Sequence, residues 1–427
     1  MSGVTLGRGL TPARATLDNG VVVLAQESGA TPAVAINATF LAGSADDPED
    51  LPGVAYLARH TIDRGTKSLG AEDIADILDD RGVSLRILVS RHTFSISCVC
   101  LSEDFDDILA LIADVAGAPL FPEEEIEKRR LEAITALRQD HDDPARVAVD
   151  LLHQDLYGPD HPYGRPMKGT MASLERIERQ DLLDYYVRHL TPSRLRIAIA
   201  GDIPDSEAVA AVGREFGGWR NRGGEPITIP LPSDRRRRSL RLHPIPAKAQ
   251  ADLAYGFPAI RRLDPRYYAY TILNNVLGQF GLGGRLAENI RERQGMAYYA
   301  YSTLEASLGE GPLITHVGVD PNDIDRALAA IDAEVRALRE EGPTEQELED
   351  SRESLIGSVP RLLETNESIC EFLIYVEQFG LGLDYDRQVS GLFRHVTMEE
   401  VREAAREALD PARAAVVVAG PVSSANR

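Results

Sequence analysis

The chain has 427 residues, 43% hydrophobic and 26% charged, an ordinary soluble composition but too long for one ordinary core, so two or more domains are expected. A net charge of -21 at pH 7 argues against nucleic acid or an anionic membrane as partner and reads as surface solubility. Cys98, Cys100 and Cys370 are odd in number and lack the spacing of a redox or zinc pair, which excludes a disulfide framework. Residues 1–14 hold no apolar signal core, and no apolar run reaches transmembrane length, so a cytoplasmic protein without a membrane partner is expected.

In chain order, an apolar strand is predicted over residues 33–42. Residues 53–66 follow, reading Gly-Val-Ala-Tyr-Leu-Ala-Arg-His-Thr-Ile-Asp-Arg-Gly-Thr. Phe94-Ser95-Ile96-Ser97-Cys98-Val99-Cys100 alternates as a strand and points both cysteines to the same side. Pro122-Glu123-Glu124-Glu125 opens a long charged helix, because acidic residues suit the positive end of the helix dipole. His161 lies in a Pro- and Gly-rich loop and reads as structural. Leu190-Thr191-Pro192-Ser193-Arg194 then turns into a short apolar strand ending on Ala200-Gly201.

Residues 221–246 read as a linker, with Gly223-Gly224, several prolines and the solvated run Arg235-Arg236-Arg237-Arg238. Beyond it the pattern returns: a strand over 249–257, a helix opened by Pro343-Thr344-Glu345, and Leu409-Asp410-Pro411-Ala412-Arg413 leading to Ala419-Gly420. The second half also carries a glycine-rich turn over 278–284, which has neither the lysine nor the setting of a phosphate cradle. The turn precedes Ile290-Arg291-Glu292-Arg293-Gln294-Gly295-Met296-Ala297-Tyr298. The repeat implies an α+β fold of two homologous domains, 1–220 and 247–427, each a mainly antiparallel sheet with helices packed on it.

Residues 53–66 resemble the Gly-Leu-Ala-His-Phe-Leu-Glu-His-(x)4-Gly-Thr signature of the pitrilysin (insulinase) metallopeptidases, the inverzincins. In that family the two histidines hold zinc and the glutamate activates the zinc-bound water. Here Tyr56 stands for the first histidine and Arg59 for the glutamate, and His60 alone remains. Registering the helix after Pro122 on the family pattern puts Ala136 at the third ligand and Arg129 at the accessory glutamate. Zinc needs about three protein ligands, and one imidazole facing arginines would repel it, so no catalytic residue and no metal are expected in this chain. Residues 290–298 resemble a second family segment, Arg-Glu-(x)2-Gly-Leu-Ala-Tyr, and carry over its substrate-facing pair as Arg291 and Tyr298.

The resemblance runs from Leu17-Asp18-Asn19-Gly20 to Gly420, and it implies half of a clam-like chamber. It also implies a noncatalytic, substrate-binding subunit, similar to the alpha subunit of mitochondrial processing peptidase and to bacterial heterodimeric homologues. A homologous partner with an intact His-x-x-Glu-His would hold the zinc, and this chain, inactive alone, would lend Arg291 and Tyr298 to peptide hydrolysis. The alternative is a structural or binding protein of the same fold, as the core subunits of the respiratory cytochrome bc1 complex are.

Overall fold

A computed structural model of the chain describes residues 9–221, 227–279 and 283–422. Gly223-Gly224 of the linker and residues 280–282 of the glycine-rich turn lie outside the described residues. Among the described residues, eleven strands form two sheets. They are β1 (Ala13–Thr16), β2 (Val22–Glu27), β3 (Ala33–Phe40), β4 (Arg86–Val89), β5 (Phe94–Leu101), β6 (Leu195–Gly201), β7 (Ser239–Pro244), β8 (Ala251–Pro258), β9 (Ala297–Leu304), β10 (Pro312–Val319) and β11 (Ala415–Gly420). The first sheet runs β1-β2-β6-β3-β5-β4 and the second β7-β11-β8-β10-β9. Apart from β1 the two orders correspond strand for strand, and in each the parallel pair is the same one, β2 with β6 and β7 with β11. The predicted α+β fold with a repeated antiparallel sheet is therefore what the chain adopts.

The repeat closes on glycine for a steric reason. Gly201 (φ +145°) and Gly420 (φ +139°) end the central strands in backbone conformations that side chains disfavour. A Cβ would lie 2.2 Å from the Ala33 carbonyl oxygen at the first and 2.8 Å from Ala251 Cα at the second. Gly201→Ala is expected to lower unfolding stability by about 2–4 kcal/mol through overlap and strain, read from the urea midpoint; an unchanged midpoint would contradict this packing.

One compact unit comprises Met1–Thr135, Pro166–Thr228 and Val359–Gln388, and the other Ala136–Arg165, Ile229–Ser358 and Val389–Arg427. Each sheet is thus covered by a helix from the other half of the sequence. On the first, helix Asn366–Phe379 sets Ile369, Cys370, Leu373 and Ile374 against Val22, Leu24, Ala35, Ala198 and Ala200. On the second, helix Pro144–Tyr157 sets Ala148, Leu152 and Leu156 against Ala254, Ile314, Ala415, Val417 and Ala419. Alanines on the sheet let each helix approach closely, and the i, i+4 spacing supplies the apolar stripe.

Part of the segment read as linker is β7, an edge strand beside β11. Its alternation in Ser239-Leu240-Arg241-Leu242-His243 is short and follows directly on the arginine run. That run is not uniformly solvated. Arg235 donates to the Asp155 carbonyl at 2.6 Å and Arg238 to Asp332 at 2.7 Å, which ties the segment to the second unit, while Arg236 and Arg237 are exposed. Cys98 and Cys100 do share the buried face of β5, and all three cysteines are buried, free thiols. Burial pushes the Cys100 thiol up to about 12 and the other two higher still, so none is a ready thiolate. Among the described residues no helix is long and apolar enough to cross a membrane.

Candidate functional site

Helix Val54–Thr61 carries the remnant motif. Its entry is fixed by Asp47, whose carboxylate accepts from the Gly53 and Ala55 amides at 2.7 and 2.8 Å and so satisfies donors that the first turn leaves open. Val54, Ala55, Leu57, Ala58 and Thr61 face the core, which turns Tyr56, Arg59 and His60 to the remaining face. Gly53, at φ +102°, has no room for a Cβ: the Lys168 carbonyl would lie 2.9 Å away and Gly169 Cα 3.0 Å. That close approach brings the Lys168 ammonium to 5.9 Å from the Tyr56 ring centroid. The Arg59 guanidinium carbon stands 5.3 Å from the same centroid, and the His60 ring meets Tyr56 edge-on at 4.8 Å. The Tyr56 phenol is 8% exposed.

The facing side is helix Glu123–His141. Arg129 there binds Glu132 at 2.8 Å and Glu125 at 3.3 Å. Ala136 follows Arg129 by two turns and Glu132 by one, on the same helical face, and is half-buried. Burial first, then Arg59 and Arg129, lower the His60 pKa to about 4, so its imidazole is neutral at pH 7. Its Nε2 is buried with no hydrogen-bond partner among the described residues. An orphaned imidazole nitrogen could ligate a metal, but the groups around it are the Arg59, Arg64 and Arg129 guanidiniums, the Tyr56 phenol and Glu132, whose carboxylate is held by Arg129. Among the described residues, no group of three or more His, Cys, Asp or Glu side chains is placed to hold a metal ion. The donor set does not fit zinc.

The other histidines are held elsewhere. His161 makes a 2.9 Å contact to the Pro230 carbonyl through Nε2 and accepts from the Tyr163 amide at Nδ1, so it fixes its loop. His153 lies 3.3 Å from Glu305, and His189 3.4 Å from Asp46. Arg64 and Lys168, which also border the His60 face, were not singled out by the motif. Arg64 lies in the turn that follows the helix and Lys168 arrives on a distant loop, so helical spacing finds neither.

Arg291 and Tyr298 belong to the second unit. Arg291 sits in Ala287–Arg293, a wide π-helical turn closed by the Gln294 amide on the Asn289 carbonyl at 3.1 Å. Such turns are rare and are frequent at functional sites. Ile290 and Ala287 anchor the turn in the core, while the Arg291 side chain is 41% exposed and lies 3.5 Å from Glu292. Gly295, at φ +62°, reverses the chain into β9. Along β9 the register with β10 slips: Ala297 pairs with Val319 and Tyr299 with Gly318, which leaves Tyr298 as the extra residue of a bulge. A bulge re-aims a side chain, and Tyr298 is 82% exposed whereas Tyr299 turns back and donates its hydroxyl to Asp252. The two carried-over residues are therefore both displayed to solvent from neighbouring elements, with no contact to each other among the described residues.

Residues 22–170 match the insulinase family, peptidase family M16, and residues 176–355 match the peptidase M16 inactive domain. The uncharacterized zinc protease YmxG of Bacillus subtilis is 28% identical over 83% of this chain and 85% of its own. The non-peptidase homolog YmxG of Helicobacter pylori is 24% identical over 90% of this chain and 88% of its own. The crystal structure of a peptidase M16 inactive domain from Pseudomonas fluorescens superposes with a TM-score of 0.90 at 24% identity, covering 98% of this chain and 99% of that one.

Proposed function

The chain belongs to peptidase family M16 as a noncatalytic member, and from that premise we propose that it is the substrate-binding subunit of a heterodimeric zinc peptidase. A homologous partner carries the intact His-x-x-Glu-His and the zinc; this chain presents Arg291 and Tyr298 to the peptide held there. The observation that carries the reading is a contrast between the two motifs. On the family resemblance, two ligand positions are filled by Tyr56 and Ala136 and the two glutamate positions by Arg59 and Arg129, while the Arg291–Tyr298 segment matches the family's, and its side chains are exposed on a π turn and a bulge. A guanidinium and a phenol are donors suited to the charge that builds on a scissile carbonyl oxygen, and they need no metal of their own. The edge position of β9 further supports main-chain pairing with a peptide of varied sequence.

Metal analysis of the copurified pair tests the division of labour. Zinc is expected to disappear when the partner's first histidine is replaced and to stay when His60→Ala is made here. Loss of zinc with His60→Ala would overturn the proposal.

A further inference from the structure

Two adjacent tyrosines on β9 meet the neighbouring strands differently. In the second sheet β10 lies between β8 and β9, and Gly318 of β10 pairs with Asp252 on one side and with Tyr299 on the other. Asp252 and Tyr299 are therefore two strands apart, roughly 9–10 Å between backbones. The phenol spans that gap because Gly318 has no side chain. A Cβ there would lie 2.7 Å from Tyr299 Cε1 and 2.3 Å from Gln250 Nε2. Tyr299 donates its hydroxyl to Asp252 Oδ1, and Gln250 donates to the same oxygen at 2.8 Å. Asp252 is 3% exposed, so these two donors serve a carboxylate that is largely closed to water. Burial, then the bond to Asp252, push the Tyr299 phenol up, which keeps it protonated and a donor.

We propose that Asp252, Gly318 and Tyr299 form a clamp across three strands that positions Tyr298. β9 is an edge strand, paired on one side, and it carries the bulge. Register is weakly specified where a strand is held from one side, and Ala297-Tyr298-Tyr299-Ala300 offers either phenol to the place over Gly318. Moving the bulge by one residue would exchange the two rings and turn Tyr298 back over the sheet. The Tyr299 hydroxyl selects the observed arrangement because Asp252 stands across the glycine as its acceptor. All three are positioning residues that act through Tyr298. The consequence for hydrolysis rests on the reading of Tyr298 given above; the clamp itself does not.

Deuterium uptake by the full chain alone tests the clamp. Tyr299→Phe and Gly318→Ala are each expected to speed uptake over residues 297–301 about tenfold, the scale of one lost buried hydrogen bond, and to leave β11 unchanged. The three atoms nearest an added Cβ at Gly318 all belong to side chains, so the alanine displaces the clamp without striking the backbone. Asp252→Asn keeps an acceptor and should retain part of the protection that Asp252→Ala loses. In the proposed heterodimer, Tyr299→Phe should lower kcat no further than Tyr298→Phe does, with KM within about twofold, and the double variant should match Tyr298→Phe alone. Unchanged uptake over 297–301, or uptake that rises equally throughout the second unit, would overturn the clamp. Additive losses of kcat would overturn its action through Tyr298. If Tyr298→Phe itself leaves kcat unchanged, the reading of Tyr298 fails and uptake alone decides the clamp.

Discussion

Arg291→Ala, introduced into the proposed heterodimer, is expected to lower kcat by about 10²–10³-fold, the usual cost of removing one donor aimed at a developing oxyanion. Tyr298→Phe should produce a smaller loss of the same kind, because only the hydroxyl is removed. Neither variant should unfold the protein: Arg291 is 41% exposed with Glu292 at 3.5 Å as its ion-pair partner, and the Tyr298 ring is almost wholly in solvent. The expected signature is a fall in kcat with an unchanged urea midpoint. Kinetics indifferent to both substitutions would favour the other reading of the fold, a binding or structural protein without a proteolytic role.

Acid is expected to destabilise the chain well before its carboxylates are generally protonated. His92 is buried and His316 partly buried, one in each unit, and the loss of solvent around each ring lowers its pKa from 6.5 to about 4. For His92, nearby Asp46 opposes the shift and Arg91 adds to it; for His316, Glu305 opposes and His153 adds. The folded state therefore binds fewer protons than the unfolded state between these values. Stability from this source is fully present above about pH 6.5 and is lost as pH falls toward about 4, by roughly 3 kcal/mol per histidine. His60 is more exposed and shifts in the same direction.

Other groups modify this trend without reversing it. Asp63 and Asp252, raised by burial, oppose the loss, whereas Asp46, lowered through His189 and Arg194 despite its burial, adds to it at the acid end. A change of this size is comparable with the whole stability of many domains. Urea midpoints measured from pH 7.5 to 4.5 should fall steadily, with a shallower slope in His92→Gln and His316→Gln. A flat profile would contradict the burial of these rings.

Much of the fold is legible along the chain because its punctuation is steric. A Pro turn, a short apolar strand and a glycine recur in both halves, and the structure shows why Gly201 and Gly420 accept no side chain. The exchange of helices is not legible. The stripes on Pro144–Tyr157 and Asn366–Phe379 indicate that each covers a sheet, but an apolar stripe carries no address. β7 escaped for a different reason: four arginines and several prolines dominate a stretch whose alternation lasts only a few residues.

The candidate sites divide in the same way. The family resemblance was enough to single out Tyr56, Arg59 and His60 on one helix, and Arg129 with Ala136 on another. Lys168 reaches Tyr56 only because Gly53 lets a distant loop approach, a contact no local pattern encodes. The exposure of Tyr298 depends on a register slip between β9 and β10, and Tyr298-Tyr299 gives no sign of which ring turns outward.

The central claim is that this chain contributes to peptide hydrolysis without performing it alone. Hydrolysis of a fluorogenic peptide by the purified chain, by the purified partner, and by their equimolar mixture tests it most directly. The account predicts that only the mixture cleaves and that a chelator abolishes the cleavage. Chelator-sensitive cleavage by the isolated chain would contradict it.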